Sequence, residues 1–526
     1  MAGGVQEVMK ATALTLELLL RGYLPNSLTP PFRIQNLDKA YPDVLKYLRS
    51  LRAKRGKKAK YPRAMTVRHS IPKRKLSRRI FSIPNPIHQV LVAREVARNW
   101  AALDKICASS SIALSRPVIG TVRALDVKMT RAEQVAQRAA RSVGKRFVLT
   151  ADFSRYYPSI YTHAIPWAIH GKAAARADIT LFGNRLDERI RESQDKQTGG
   201  IPIGPDTSFL IGEVVAAAID RRLEDKIGKL HGTRFVDDYY LYFDSHEAAE
   251  RALAALHEIA ASLELVVNDF KTEILPLPEA LEPYWKRQLR VLNLNRQGSR
   301  QETQLIELFD QAAELTIRFP NDNVLTYAAN IVGSTSIDAS VWPICQSLLL
   351  RSALAEPSLL RRLPDIFEKN QAAGHDLAAA SATVEQLCGY HSALQQGTEV
   401  MWAMWFSRSL HEPLTPSAIQ AVGAVDDDLV ALTTLHLKSE GLMPGLNVNL
   451  WAQYATKQHL FTDHWLVAYE GRAKGWLGSA GTDYTMQDNF FSILRKHGVS
   501  FYELAAAAVQ QSSPYDGDAD DEASAF

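Results

Sequence analysis

The sequence predicts an α+β front half followed by an all-α back half, and three observations carry that prediction. Between about Phe147 and Pro278, short β-rich runs alternate with amphipathic helices. Ahead of them lies a basic, proline-punctuated entry region, and from about Gln301 onward apolar residues recur at helical spacing. At 526 residues the chain is too long for one ordinary core, so several domains are expected. The composition shifts place them at 1–145, a helical and basic entry region; 146–285, the α+β unit; 286–510, an α-helical region with loosely repeating punctuation; and 511–526, an acidic disordered tail.

The first hundred residues read as helices joined by proline-rich turns, with an extended piece near Arg79 to Pro84 before an Asn-Pro turn. Net charge is only +4, but its distribution is uneven. From Lys46 to Arg79 there are fifteen Lys or Arg and no Asp or Glu, interleaved with aromatic, proline and apolar residues, a density suited to phosphate. The end of the chain, SPYDGDADDEASAF, is acidic and reads as disordered. No apolar stretch reaches the roughly 20 residues of a membrane span. The N-terminal apolar run lacks the basic opening and cleavage site of a secretory signal, so cytoplasmic residence is expected. Cys107, Cys345 and Cys388 are far apart, which argues against disulfides and zinc and for buried thiols.

In the α+β unit, FVLTADFSRYYPSIYTH delivers Asp152 at the end of an apolar strand, with Tyr157 five positions later. GGIPIGPDTSFLIGEV is a glycine-rich loop entering a helix, where Gly200 and Gly204 lack the Cβ that would keep a ligand away. TRFVDDYYLYF places Asp237 and Asp238 between two strands, and LELVVNDFKTEIL offers Lys271. Other acids, at Asp426 to Asp428 and at Asp520 and Asp521, lack that apolar frame and read as solvated charges. Carboxylates on adjacent strand ends suit nucleotide transfer, which uses two divalent ions about 3.5–4 Å apart bridged by acidic groups. Magnesium prefers such oxygen ligands, and two or three aspartates suffice. Beyond, LIELFDQAAELTIRF sets Leu305, Leu308, Phe309, Ala312, Leu315 and Phe319 on one helical face ending at Pro320. The aromatic cluster Met401 to Phe406 could stack bases, but at helical spacing in an apolar region it reads as core.

The ordered set DFSRYY, GIPIGPDTS, FVDD and NDFKT resembles the palm motifs of reverse transcriptases, and IPKRKLSRRIFSIP resembles their fingers segment. The resemblance implies a fingers-palm fold over 1–285 with Asp152, Asp237 and Asp238 as catalytic metal ligands for Mg2+, or Mn2+, and adds Phe153 to the metal set. It implies that Tyr157 excludes a ribose 2′-hydroxyl, that Lys73 and Arg79 hold the triphosphate, and that Lys271 acts beside the departing pyrophosphate. Gly204 and Phe235 join the substrate-binding set. Two positions depart from the pattern: Phe235 stands for the usual tyrosine, and Ile203 for a glutamine that helps organise the nucleotide pocket.

Looser matches in LLLRGYLPNSLTPPF, FPNDNVLTYA, AYEGRAKGWL and GVSFYEL resemble the bacterial abortive-infection (AbiK-like) reverse transcriptases, used against phages. That resemblance implies a HEAT-like helical-repeat domain in place of a thumb, homo-oligomers, deoxynucleoside triphosphates as substrates and no membrane. It also implies single-stranded DNA made without a conventional template and covalently attached to a protein hydroxyl, whereas other defence enzymes copy an associated non-coding RNA. Tyr23, Tyr41, Tyr47 and Tyr61 are priming candidates by location only. A retron-like or intron-derived templated enzyme and a non-catalytic nucleic-acid-binding scaffold are the alternatives.

Overall fold

The computed structural model describes residues 2–52, 61–74, 77–292, 294, 297–478 and 481–505. The lysine-rich stretch 53–60 and the acidic tail lie outside the described residues. Helices α1 (Ala2–Leu20) and α2 (Leu37–Arg52) open the chain. Between them the backbone is pinned from three sides: Gly22 O accepts from Asp206 N–H at 2.8 Å, Leu24 O from Arg123 at 2.7 Å, and Ser27 O from the Trp402 indole at 3.0 Å.

Strands β1 (Val67–Arg74) and β2 (Ser77–Ile83) form an antiparallel hairpin in the basic region. Strand alternation buries Val67, His69, Ile71, Phe81 and Ile83 on one face and leaves Arg68 and Ile80 exposed on the other. The Asn-Pro dipeptide that follows is a helix start: Asn85 accepts from Ile87 N–H at 3.3 Å, and Pro86 takes the first position of α3 (Pro86–Arg98), where no N–H is needed. A small hairpin, β3 (Pro117–Ile119) with β4 (Leu125–Val127), precedes α4 (Arg131–Ser142), which opens on a capping box between Thr130 and Glu133.

The central sheet has the order β6-β7-β5-β8 and is antiparallel throughout: β5 (Phe147–Ala151), β6 (Gly232–Phe235), β7 (Asp238–Phe243) and β8 (Glu273–Pro276). The long helix α5 (Asp206–Ile227) is buried on nearly every side, which its run of Val, Ala and Ile permits. It packs on α6 (His246–Ser262), and α6 lies across β5, β7 and β8.

The back half is helical. The helix α7 (Ser299–Arg318) buries the expected stripe, Leu305, Leu308, Phe309, Ala312 and Leu315, and stops before Pro320. The Met401 to Phe406 cluster is core, wholly within α8 (Gly397–Ser409). The later helices α9 (Asp428–Ser439), α10 (Trp465–Ala473) and α11 (Phe491–Lys496) return to the start of the chain. There α8 and α9 pack on β1, and α11 packs on α2. Glu399 pairs with Arg78 through two bonds of 2.5 and 2.8 Å, and Gln35 and Ser500 exchange backbone hydrogen bonds.

The reading of Asp427 and Asp428 as solvated charges is corrected here, while Asp426 is exposed as expected. Asp427 caps α9 and accepts from His69 of β1 at 2.9 Å, while Asp428 is buried against His464 at 2.9 Å and Val467 N–H at 2.9 Å. Asp426 accepts the Tyr454 hydroxyl at 2.8 Å. A triple acid run is affordable because each carboxylate meets its own donor. Burial nevertheless pushes the Asp428 carboxyl up to about 6.

Candidate active site

Register brings the predicted acids together. β5 pairs with β7 so that Ala151 faces Tyr239, which sets Asp152, one residue past β5, beside the turn joining β6 to β7. On its other side the chain at Asp152 is held by Asn268, whose N–H donates to the Asp152 carbonyl at 2.8 Å. Lys271, the last residue of a short turn capped by Asn268, forms an ion pair with the Asp152 carboxylate. Phe153 contributes no side-chain ligand, because its ring is buried and stacked on Tyr156 at 5.6 Å.

Phe235 and Asp238 pair directly, so Val236 and Asp237 form a two-residue hairpin turn. Val236 has φ +53°, a left-handed conformation that a β-branched residue adopts only under compulsion. The Asp237 carboxyl lies beside that of Asp152. It is held well above the usual carboxylate range by burial first, then by the charges of Asp238 and Asp152, with Lys271 opposing them. Asp238 is exposed at the edge of the same site. Among the described residues no group of three or more acidic, His or Cys side chains closes on a single point. The donor chemistry still fits hard divalent cations: Asp152 and Asp237 are in contact, and Asp238 is close enough to raise Asp237.

Tyr157 lies under this turn, in the fields of Glu213, Asp237 and Arg79, and its ring would meet a Cβ on Gly212 at 3.0 Å. Burial drives its hydroxyl well above a tyrosine's ordinary range. Arg79 is thus near Tyr157, whereas its neighbour Arg78 is committed to Glu399. Lys73 stands half-buried on β1, one residue from the end of that strand.

Both loop glycines serve close packing within the chain. A Cβ at Gly204, φ +130°, would strike Pro25 Cγ at 2.7 Å, and one at Gly200, φ +79°, would strike Pro158 O at 2.9 Å. The ligand expected against Gly204 is therefore replaced by Pro25 of the N-terminal segment. Gly204→Val should lower stability by about 1–3 kcal/mol through strain and overlap, read as a lower melting temperature. Ile203 ties the same loop to β2, its carbonyl accepting from Ser82 N–H at 2.9 Å.

Residues 71–295 match the family model described as reverse transcriptase (RNA-dependent DNA polymerase). The chain carries a reverse transcriptase domain. No curated protein matches it. Among solved structures, it is similar to apo telomerase from Candida tropicalis at 10% identity and TM-score 0.34, covering 73% of this chain and 77% of that one. It is also similar to telomerase from Candida albicans in complex with a fragment of telomeric RNA, at 11% identity and TM-score 0.30, covering 82% and 74%.

Behind the acids, the reverse transcriptase domain holds a buried charged group that pattern reading passed over. The Arg234 guanidinium, fully buried, donates to Asp220 at 2.8 Å, to Glu213 at 3.0 and 3.2 Å, and to the Val236 carbonyl at 2.7 Å. Ser115 donates to Glu213 at 2.6 Å and accepts from Val236 N–H at 2.7 Å. A usable signal exists in α5: Glu213 and Asp220 are seven residues apart, on one face of an otherwise apolar helix, and buried carboxylates there require a cation. Of the priming candidates, Tyr23 is fully buried and donates to the Pro84 carbonyl, and Tyr41 is buried; Tyr47 is partly buried, as is Tyr61, which lies under Arg189. The three cysteines are buried and unpaired. No helix among the described residues is long and apolar enough to cross a membrane.

Proposed function

We propose that this chain is an antiphage-defence reverse transcriptase that polymerises deoxynucleoside triphosphates by two-metal nucleotidyl transfer. The observation that carries the reading is the register that brings Asp152 beside the Asp237 turn, with Lys271 paired to Asp152 and Tyr157 close by. Asp152, Asp237 and Asp238 would hold Mg2+ or Mn2+, with the Phe153 main chain beside them. Such ions supply charge neutralisation for the attacking oxygen and the leaving pyrophosphate. Lys73 and Arg79 bind the triphosphate, and Lys271 supplies a proton near the leaving group. Tyr157, wedged against Gly212, closes the space a 2′-hydroxyl would need.

The defence role rests on the looser motif matches at both ends of the chain, in which the back half stacks in a HEAT-like manner where a thumb would be. In this reading the protein forms homo-oligomers in the cytoplasm and makes single-stranded DNA. It starts from a protein hydroxyl without a conventional template or copies a non-coding RNA. Purified protein incubated with labelled deoxynucleotides and Mg2+ should yield product that stays with the protein through denaturing phenol extraction and migrates freely after proteolysis. Free product with one defined complementary sequence would instead point to the templated route, and no product would refute the polymerase reading. Tyr157→Ala should raise ribonucleotide incorporation relative to deoxynucleotide by about 10–100-fold, measured as the ratio of kcat/KM values.

A further inference from the structure

Asp237 occupies one of only two residues in a hairpin turn whose other member, Val236, sits at φ +53°. For valine that conformation is strained and persists only where surroundings over-determine it. Here both polar atoms of the Val236 peptide are seized from below. Its N–H donates to Ser115 Oγ at 2.7 Å, and its carbonyl accepts from Arg234 Nη1 at 2.7 Å. Neither holder is loose. Arg234 is locked by Glu213 and Asp220, and Asp220 also accepts from the Tyr239 hydroxyl at 2.8 Å and the Ser110 hydroxyl at 2.6 Å. Ser115 is locked by Glu213. The segment carrying Ser115 is joined to β6 as well, since Leu114 N–H donates to the Arg234 carbonyl and Arg234 N–H to the Ile112 carbonyl, both at 2.8 Å.

A buried Arg with two carboxylates is a weak stabiliser against an apolar replacement of equal volume, so stability alone gives little reason for this group to be charged. Its distinguishing feature is the fourth bond, to the carbonyl of the strained residue. We infer that Arg234 and Ser115 are positioning residues for the nucleotidyl-transfer site: they impose the left-handed Val236, and that conformation aims the Asp237 carboxyl at Asp152. The inference rests on the polymerase reading for its activity readout. Supporting partners of metal-binding side chains typically matter about 10–100-fold in metal affinity or activity.

The test uses the full chain and two variants that preserve charge balance. Ser115→Ala removes one hold on Val236 and leaves every ion pair. Arg234→Lys keeps a cation between Glu213 and Asp220, but one ammonium cannot also reach the Val236 carbonyl. Each is expected to raise the Mg2+ concentration for half-maximal activity about 10–100-fold and to lower kcat, with the nucleotide KM little changed. The decisive arm adds Val236→Gly, because glycine adopts positive φ without strain. Compared with Val236→Gly alone, either double variant should recover most of the lost metal affinity. If Mg2+ dependence is unchanged in folded Ser115→Ala and Arg234→Lys proteins, or if glycine at 236 restores nothing, the positioning role is wrong. Mn2+ binding measured by electron paramagnetic resonance reads the same shift without turnover. A wild-type protein that shows no turnover but loses Mn2+ affinity on Ser115→Ala, and regains it with glycine, would overturn the polymerase reading and leave this inference standing.

Discussion

Asp237→Asn is expected to abolish nucleotide incorporation, by roughly a thousandfold or more, while leaving the protein at least as stable as the wild type. The loss follows from removing one of the few carboxylates able to hold a divalent ion. Several kcal/mol of charge stabilisation go with it, and each 1.36 kcal/mol is about tenfold in rate. The stability claim follows from the crowding of Asp237: burial and the neighbouring Asp238 and Asp152 raise its folded pKa well above its ordinary value. Between those two values the folded state binds more protons than the unfolded one, so folding stability falls as pH rises across that window. Asparagine has no proton to lose, and the variant should lack that decline. Melting temperatures measured from pH 5 to 8 check the sign. A wild-type curve that rises with pH through this range, or an asparagine variant that melts well below it, would mean that Asp237 is structural. Activity follows the opposite pH course, since only the ionised carboxyl ligates metal.

What the sequence disclosed and what it concealed divide along a physical line. Asp152 and Asp237 were visible because each interrupts an apolar strand, and a charge in that frame needs a reason that lies nearby in the chain. Lys271 came through resemblance, and the ion pair with Asp152 places it at the same acids. The helix α7 was visible from its own period, because a single buried stripe is written in consecutive residues. Arg234 was concealed because it is one cation in a four-residue strand, and its partners Glu213 and Asp220 are distributed over two turns of another element. Asp427 and Asp428 were misread for the same reason. Nothing within their own segment announces His69, 358 positions away, or His464, 36 positions away. Gly204 shows the ambiguity of glycine itself: the sequence says that something approaches closely, and only the fold says that it is Pro25.

The return of the back half onto the hairpin β1–β2 makes a second large effect expected far from the acids: Trp465→Ala should destabilise the protein by about 3–5 kcal/mol. Trp465 is fully buried, its indole N–H donates to the Ile83 carbonyl at 3.2 Å, and its ring meets Phe501 edge-on at 5.1 Å. Truncation opens a cavity and strips a partner from the last residue of β2, the strand that also carries Arg79. The damage should therefore cross from the helical half into the nucleotide-binding half. Amide hydrogen exchange should quicken in residues 67–83 as well as in α10, and the KM for nucleotide should rise in the surviving folded fraction. Arg78→Ala makes the contrast. Its guanidinium is partly exposed, but it leaves Glu399 buried without its partner, so the loss should fall on the α8 end of the hairpin while the Ile83 end keeps its protection. If Trp465→Ala accelerates exchange only in the back half, with residues 67–83 protected as before, the two halves fold independently. The ion pairs and hydrogen bonds between them would then be contacts that follow folding of the hairpin rather than conditions for it.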